Sequence, residues 1–289
     1  MRCSRTRDPL ESALILTAIH KAEHTMDTND GAQGQLSGNV LLYTRPEPLN
    51  PESHGGLGIK PTTTPYKFAL TAHAVPLQVT EFGPAAINFP IIFAGDQKQP
   101  MAIMSIRQQE NLFISADGAF EPDAYVPAYL RRFPFVLADD PENERMIVCI
   151  DVAADAVKPG GDIALFSGMD PTEFTKNAIE FCTNYEGERK RTEAFVQTLR
   201  ELDLFELKEA FFQPNNPDGS PGQPVRLADY FAVSEDKLRA LPPETLASLR
   251  DSGALMQMYA QLISLNAWDK LVARTLVRDG QSATTIANA

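Results

Sequence analysis

Apolar runs of strand length, separated by turn-forming residues, dominate the first half of the chain. They cover residues 66–70, 75–79, 89–94, 101–106, 111–115, 146–150 and 163–166. Gly, Pro, Asp or Asn residues bound most of these runs, which is the pattern of short strands between turns. We therefore predict a mostly antiparallel sheet over about residues 66–166, with one further strand near residues 224–233.

The spacing of apolar residues changes to a helical period after residue 170. Asp170 and Pro171 suit the N-cap and the first helical position, and helical spacing then continues to Tyr185. We predict that Gly187 interrupts this helix and that a second helix covers about residues 188–212. Shorter helices are predicted over residues 234–241, 243–252 and 255–265.

Together the two halves of the chain predict an α+β fold, in which helices of the C-terminal half pack on the antiparallel sheet. Residues 40–278 are predicted to form one domain, because no repeat or linker divides them. Residues 1–39 are predicted to be a disordered leader, of which residues 1–25 are interpreted as an over-extended start. Residues 279–289 are predicted to be a flexible tail.

A short aromatic helix that ends in two arginines follows the first predicted strands. Asp123 suits its N-cap, Pro127 suits its first turn, and Pro134 disfavours a helical backbone at the preceding residue. These signals predict a helix of about two to three turns. Tyr125 and Tyr129 are four residues apart, so we expect both on one face of this helix, packed on the sheet.

The adjacent arginines Arg131 and Arg132, at the end of this helix, are the strongest candidates for a binding site. Beside Tyr125 and Tyr129, their guanidinium groups can hold a carboxylate or phosphate, which arginine binds in bidentate fashion. The alternative is a structural role, in which the arginines form ion pairs with carboxylates of the same acidic chain, such as Glu121, Asp123 or Asp151.

No recognisable catalytic, cofactor or metal motif accompanies the two arginines. The sequence lacks Gly-x-Ser-x-Gly, His-Glu-x-x-His, Gly-x-x-x-x-Gly-Lys and Gly-x-Gly-x-x-Gly patterns. Cys149 and Cys182 fall in apolar segments, where we expect buried, inert thiols. His20 and His24 have the spacing of one helix face but no third metal ligand nearby. We therefore predict no metal and no cofactor.

Charge and hydropathy restrict the partners and the compartment. The net charge of −12 disfavours binding to nucleic acid or anionic membranes, since both attract concentrated Lys and Arg. No apolar run reaches the ~20 residues that a membrane-spanning helix needs. Residues 1–25 fit a signal peptide poorly, because Asp8 and Glu11 interrupt a short apolar core. A cytoplasmic location is therefore expected, and the oligomeric state stays open.

The aromatic helix also carries a resemblance to a known family. Residues 125–135, Tyr-Val-Pro-Ala-Tyr-Leu-Arg-Arg-Phe-Pro-Phe, are similar to the signature of the SapC-like family, which is named after proteins associated with a bacterial surface layer. Further matches lie at residues 81–82, 89–93, 111–113, 148–151, 165–166 and 259–265. The resemblance covers roughly residues 40–275.

The resemblance implies a non-enzymatic accessory or interaction protein with a protein partner, tied to the cell envelope or surface layer. Genes of the family tend to lie beside genes for outer-membrane receptors, flavin-dependent halogenases and cupin-type oxygenases. The alternative is an enzyme or enzyme subunit with an anion-binding site around Arg131, working as a partner of such a halogenase or oxygenase. The family supplies no established catalytic residues, so none is assigned to this chain.

Overall fold

The computed structural model describes residues 40–140, 145–214 and 220–280. Within these ranges the strands are β1 (Pro46–Pro48), β2 (Leu57–Ile59), β3 (Ala74–Pro76), β4 (Ile91–Ala94), β5 (Gln99–Ile103), β6 (Phe135–Asp140), β7 (Arg145–Asp151), β8 (Val157–Pro159), β9 (Ile163–Ala164), β10 (Phe166–Ser167), β11 (Asp170–Pro171), β12 (Phe205–Phe212) and β13 (Val225–Val233). The helices are α1 (Pro51–His54), α2 (Phe82–Ala85), α3 (Ala128–Arg131), α4 (Glu173–Glu201), α5 (Glu235–Arg239), α6 (Pro243–Asp251), α7 (Ala254–Ser264) and α8 (Ala267–Arg278), with 3₁₀ helices at Lys67–Ala69 and Val79–Glu81. The predicted leader, residues 1–39, and residues 281–289 of the predicted tail lie outside the described ranges.

The largest sheet has five antiparallel strands in the order β12-β13-β4-β5-β3. Every residue of β4 is buried, and Ile91 and Phe93 belong to the main core. Helices α4, α7 and α8 contribute Phe195, Met258 and Leu271 to the same core. The predicted α+β class, with C-terminal helices against antiparallel strands, is therefore confirmed, and β13 is the strand predicted near residues 224–233. A single domain over residues 40–278 stays a prediction.

Three smaller antiparallel sheets lie in the orders β1-β7-β6, β8-β2-β9 and β10-β11. Strand β7 is central in its sheet, as its continuous apolar run predicts. Helix α4 packs against β6. Phe135, Ile150 and Cys182 of α4 belong to a second, smaller core. The N-terminal part of α4 therefore lies beside β6, the strand that follows α3.

Two predicted strands are wrong. Residues 66–70 contain the 3₁₀ helix Lys67–Ala69, because the period of a five-residue run does not separate one turn of helix from a strand. Residues 111–115 contain a turn and one isolated antiparallel bridge, from Ile114 to Phe120, in place of a strand, and the side-chain oxygen of Asn111 accepts a 2.9 Å hydrogen bond from the backbone N–H of Phe113. This local bond competes with the ladder of a strand.

The predicted helix over residues 188–212 is wrong in its second part, where β12 pairs with β13. Helix α4 ends before Asp203, whose φ of 51° turns the chain away from the helix. Pairing with β13 then overrides the helical preference of the Glu, Leu, Lys and Ala residues in β12. The N-cap of α4 is Thr172, whose side chain accepts from a backbone N–H of the first turn, and not Asp170.

Gly187 lies inside α4 and does not interrupt it, contrary to the prediction. A Cβ added at Gly187 would meet no atom within 4 Å. Glycine in a helix interior costs about 0.5–1 kcal/mol relative to alanine, so Gly187→Ala should raise the free energy of unfolding in urea by about that amount. The matched control is Gly58→Ala, where a Cβ would lie 2.5 Å from the Gly161 carbonyl oxygen and should destabilise the fold. A less stable Gly187→Ala variant would contradict an uninterrupted, solvent-facing helix at this position.

Candidate functional site

The arginine helix α3 is one turn long, and a buried carboxylate from a distant segment holds its first residue. Glu81, 6% exposed, accepts hydrogen bonds from the backbone N–H of Ala128 at 2.7 Å and from the Tyr125 hydroxyl at 2.8 Å. Its other oxygen accepts from the backbone N–H of Gln78 at 2.9 Å. Asp123, the predicted N-cap, lies before the helix, so the predicted two to three turns are wrong. A tertiary contact thus fixes the start of α3 and the position of the arginines that follow.

Arg131 is exposed, and its contacts are neutral groups. Its Nε donates to the Val126 carbonyl oxygen at 3.0 Å, and a terminal nitrogen donates to the Tyr125 hydroxyl at 3.3 Å. The guanidinium carbon lies 5.4 Å from the centroid of the Phe181 ring, within the range of a cation–π interaction. Tyr125 and Tyr129 do not share a helix face as predicted, because Tyr125 precedes α3.

Arg132 lies among three tyrosine rings, which we call the tyrosine cage: Tyr43, Tyr129 and Tyr185. Its guanidinium carbon is 4.3 Å from the centroid of the Tyr129 ring, 4.4 Å from that of Tyr185 and 5.7 Å from that of Tyr43. Arg132 Nε is buried, and within the described ranges it has no hydrogen-bond partner. The ring faces of the cage and hydrogen bonds with the Tyr43 and Tyr129 hydroxyls therefore hold the side chain.

Hydrogen bonds to backbone carbonyls fix two rings of the tyrosine cage. The Tyr129 hydroxyl donates to the Leu41 carbonyl oxygen, and the Tyr43 hydroxyl donates to the Phe135 carbonyl oxygen, each at 2.7 Å. Tyr185 belongs to α4 and stacks edge-on with Tyr129, with ring centroids 6.4 Å apart. The cage is thus assembled from three parts of the chain: the segment before β1, the helix α3 and the helix α4.

The groups around Arg132 are uncharged at neutral pH. Burial raises the pKa of all three cage tyrosines, although the guanidinium beside them acts in the opposite direction. Burial likewise raises the pKa of the nearby Cys182 thiol to about 11. These groups therefore keep their protons at neutral pH. The cage attracts the guanidinium through its ring faces but leaves the positive charge uncompensated.

The carboxylates named as alternative partners do not pair with either arginine. Glu121 forms an ion pair with an arginine of α8. Asp151 accepts hydrogen bonds from the backbone N–H groups of Thr44 at 2.7 Å and Arg45 at 3.0 Å, and Asp123 is exposed. Throughout residues 40–140, 145–214 and 220–280, no salt bridge within 4.0 Å involves the adjacent arginines. Ion pairs with these carboxylates therefore do not hold Arg131 and Arg132 in place.

A cleft of about 930 Å³ opens beside the two arginines. Four cationic side chains contribute to its wall: Lys60, Lys67, Arg131 and Arg132. Two carboxylates also line it, Asp151 and Asp155, and the first of these already accepts backbone hydrogen bonds. Five phenylalanines also line the cleft: Phe68, Phe133, Phe135, Phe174 and Phe181. In a chain of net charge −12, this cleft has an excess of cations and so favours an anion.

Other groups with reactive potential are structural. Cys149 and Cys182 are free and buried, as predicted, and burial raises the pKa of each thiol to about 11. Among the described residues, no group of three or more His, Cys, Asp or Glu side chains is placed to hold a metal ion. The helices in the same ranges include none with the length and apolar character needed to cross a membrane.

Sequence reasoning found the two arginines but missed most of their surroundings. Tyr185 follows the apolar spacing of a helix, which indicates burial and does not reveal the neighbour. Tyr43 precedes a proline-rich segment without any periodic signal, and Lys60 and Lys67 are isolated charges in the same region. Glu81, whose carboxylate holds the start of α3, is indicated in the sequence only by the match of Glu81-Phe82 to the family signature.

The fold and the cleft define an α+β protein with a basic, aromatic-walled cleft. The sequence profile of the SapC family matches residues 49–271, so the chain belongs to the SapC family, as the resemblance of residues 125–135 indicated. The match includes Tyr129, Tyr185 and both arginines, whereas Tyr43 lies before it. No curated protein and no solved structure gave a significant match.

Proposed function

We propose that this SapC-family protein is a non-enzymatic accessory protein that binds a small organic anion in the cleft beside Arg131 and Arg132. The observation that carries the proposal is the uncompensated charge of Arg132. Arg132 is half-buried and belongs to the wall of the cleft, and its guanidinium contacts neutral rings. A charge removed from water is costly unless a partner of opposite sign meets it. A bound anion would supply that partner.

The second arginine supports the same assignment. Arg131 reaches the cleft while two of its nitrogens are fixed by the Val126 carbonyl and the Tyr125 hydroxyl. A guanidinium held in this way has lost part of its rotamer freedom before any ligand arrives, which lowers the entropic cost of binding. A guanidinium with a pre-set position suits the paired oxygens of a carboxylate or phosphate.

The biological setting of the proposal is the cell envelope or surface layer, and its support is family membership. In that setting the protein would present or retain its ligand for a protein partner. Chemical cross-linking in intact cells, followed by cell fractionation, tests the envelope setting. Cross-links to envelope proteins are the expected result, whereas a protein found only in the soluble fraction, without such cross-links, would refute the envelope setting.

Anion binding is tested by isothermal titration calorimetry with acetate, inorganic phosphate, octanoate and octyl phosphate. Arg132→Gln should weaken the tightest of these by about 10–100-fold, because a hydrogen bond to a charged group is worth about 1.5–3 kcal/mol. Arg239→Gln removes the same charge from an exposed arginine, paired with Glu235, that does not line the cleft, and it should bind like the wild type. Equal affinities for Arg132→Gln and Arg239→Gln, with both variants folded, would refute the site.

The cleft also supports a second candidate, an enzyme or enzyme subunit that acts on the bound anion or serves a flavin-dependent halogenase or cupin-type oxygenase. The observation in its favour is the volume of about 930 Å³, which lies in the range of small-molecule sites. Co-purification with one of these enzymes, or turnover of a bound anion that Arg131→Ala abolishes, would favour this candidate. Recovery of an unchanged ligand from the purified protein would favour the accessory role.

A further inference from the structure

We infer that the ligand of the cleft is an amphipathic anion, with an acidic head for the arginines and an apolar body for the aromatic wall. This inference rests on the proposed function and specifies the class of ligand. It excludes inorganic anions and short, fully polar acids as the natural occupants. The shared chemistry is an alkyl or aryl chain that ends in a carboxylate or a phosphate ester.

The aromatic wall is the first support for an apolar body. Phe68 and Phe133 stack with ring centroids 3.8 Å apart and an interplanar angle of 15°. Phe135 and Phe174 lie 6.1 Å apart between centroids. Phe68, Phe133, Phe174 and Phe181 are all only partly buried and line the cleft. Rings left at the wall of an open cleft gain free energy when an apolar group displaces water from them.

The size of the cleft is the second support. Its volume of about 930 Å³ lies in the range of sites that hold drug-sized ligands. An inorganic anion that met Arg132 would leave most of this space to water and most of the rings wet. A ligand with an apolar body of several carbon atoms would fill it, as ligands fill most protein pockets of this size.

The distribution of the cations is the third support. Lys60, Lys67 and Arg131 are exposed, whereas Arg132 is half-buried behind them against the tyrosine cage. The neutral polar groups of the wall are few: Thr44, Thr62, Thr64 and Asn177. A ligand with one acidic group and an apolar remainder matches what the wall does offer.

The test separates the head from the body in one calorimetric series: acetate, octanoate, inorganic phosphate, octyl phosphate and 1-octanol. Octanoate should bind at least about 100-fold more tightly than acetate, since each buried methylene adds to the affinity, and octyl phosphate should exceed phosphate similarly. 1-Octanol, which lacks the charge, should bind at least about 10-fold more weakly than octanoate. A preference for either acidic head supports the inference.

A pair of phenylalanine variants tests the wall. Phe181→Ala should weaken octanoate by about 10-fold or more and leave the acetate affinity unchanged within about 2-fold. Phe211→Ala, on the exposed face of β12 and away from the cleft, is the control and should bind both ligands like the wild type. A melting curve for each variant shows whether it is folded, and Phe181→Leu replaces Phe181→Ala if that variant unfolds.

The outcomes distinguish the inference from the proposed function. If acetate and octanoate bind equally, and Arg132→Gln weakens both, the anion site stands and the amphipathic ligand is refuted. If octanol binds as tightly as octanoate, the acidic head is not recognised and the inference also fails. If none of the anions binds, the proposed function itself is refuted.

Discussion

Replacing Glu81 by alanine should lower the free energy of unfolding by at least about 3 kcal/mol. The carboxylate accepts hydrogen bonds from the backbone N–H groups of Gln78 and Ala128 and from the Tyr125 hydroxyl. Each buried donor left without a partner costs about 1–3 kcal/mol, and an alanine offers no acceptor to replace the lost oxygens. Unfolding in urea, followed by circular dichroism, measures the change.

Two further variants show whether the loss of stability comes from the hydrogen bonds to Glu81. Glu52→Ala removes an exposed carboxylate from the first turn of α1 and should change stability by less than about 0.5 kcal/mol. Glu81→Gln keeps one acceptor oxygen and should fall between the wild type and Glu81→Ala. If Glu81→Ala were as stable as Glu52→Ala, water or a rearranged backbone would be satisfying the donors, and the carboxylate would not position α3.

Replacing Glu81 should also weaken anion binding. Glu81 holds the first residue of α3, and the two arginines that line the cleft lie at the end of this helix. Glu81 does not line the cleft itself. Weaker octanoate binding by Glu81→Gln, measured where that variant is folded, would identify Glu81 as a positioning residue for the arginines. Unchanged binding in that variant would show that Pro134, Val126 and the tyrosine cage suffice to place them.

Tyr129→Ala should be the second strongly destabilising change, at about 3–5 kcal/mol, the range for truncating a large buried aromatic residue to alanine. Tyr129 is 5% exposed, and its ring contacts both Arg132 and Tyr185. Its hydroxyl also holds the Leu41 carbonyl at 2.7 Å, so truncation removes packing and an anchor for the segment before β1. Tyr129→Phe keeps the ring, removes the hydroxyl with its hydrogen bonds to the Leu41 carbonyl and Arg132, and should cost less than Tyr129→Ala, at about 0.5–1.5 kcal/mol for each hydrogen bond lost.

Arg132→Ala should destabilise the protein less than Tyr129→Ala does. Arg132 directly follows α3 and is half-buried, not exposed. Each of its contacts with a ring face is worth about 0.5–2 kcal/mol. Removing a half-buried charge without a counter-ion returns part of that loss. Equal destabilisation by Arg132→Ala and Tyr129→Ala would show that the guanidinium, and not the aromatic packing, holds the tyrosine cage together.

Local sequence signals predicted the elements whose own residues decide their structure. The run at residues 146–150 is β-branched and apolar, and it became the central strand β7. Pro243 begins α6 and Gly253 follows its end, as expected from the positions that these residues favour. Where local and tertiary preferences differ, the local signal failed: β12 has helix-forming residues, yet its pairing with β13 makes it a strand.

The sequence by itself determined the α+β class, the family and the two adjacent arginines. Period and turn residues report which side chains face the interior, and this is enough to define elements and their order. The tertiary structure alone decided the site. Tyr43, Glu81 and Tyr185 are far from Arg132 in sequence but contact it or the helix before it, because packing brings separate segments together. Burial patterns do not encode which apolar faces meet, so the charge of Arg132, its neutral cage and the aromatic cleft become visible only in the folded chain.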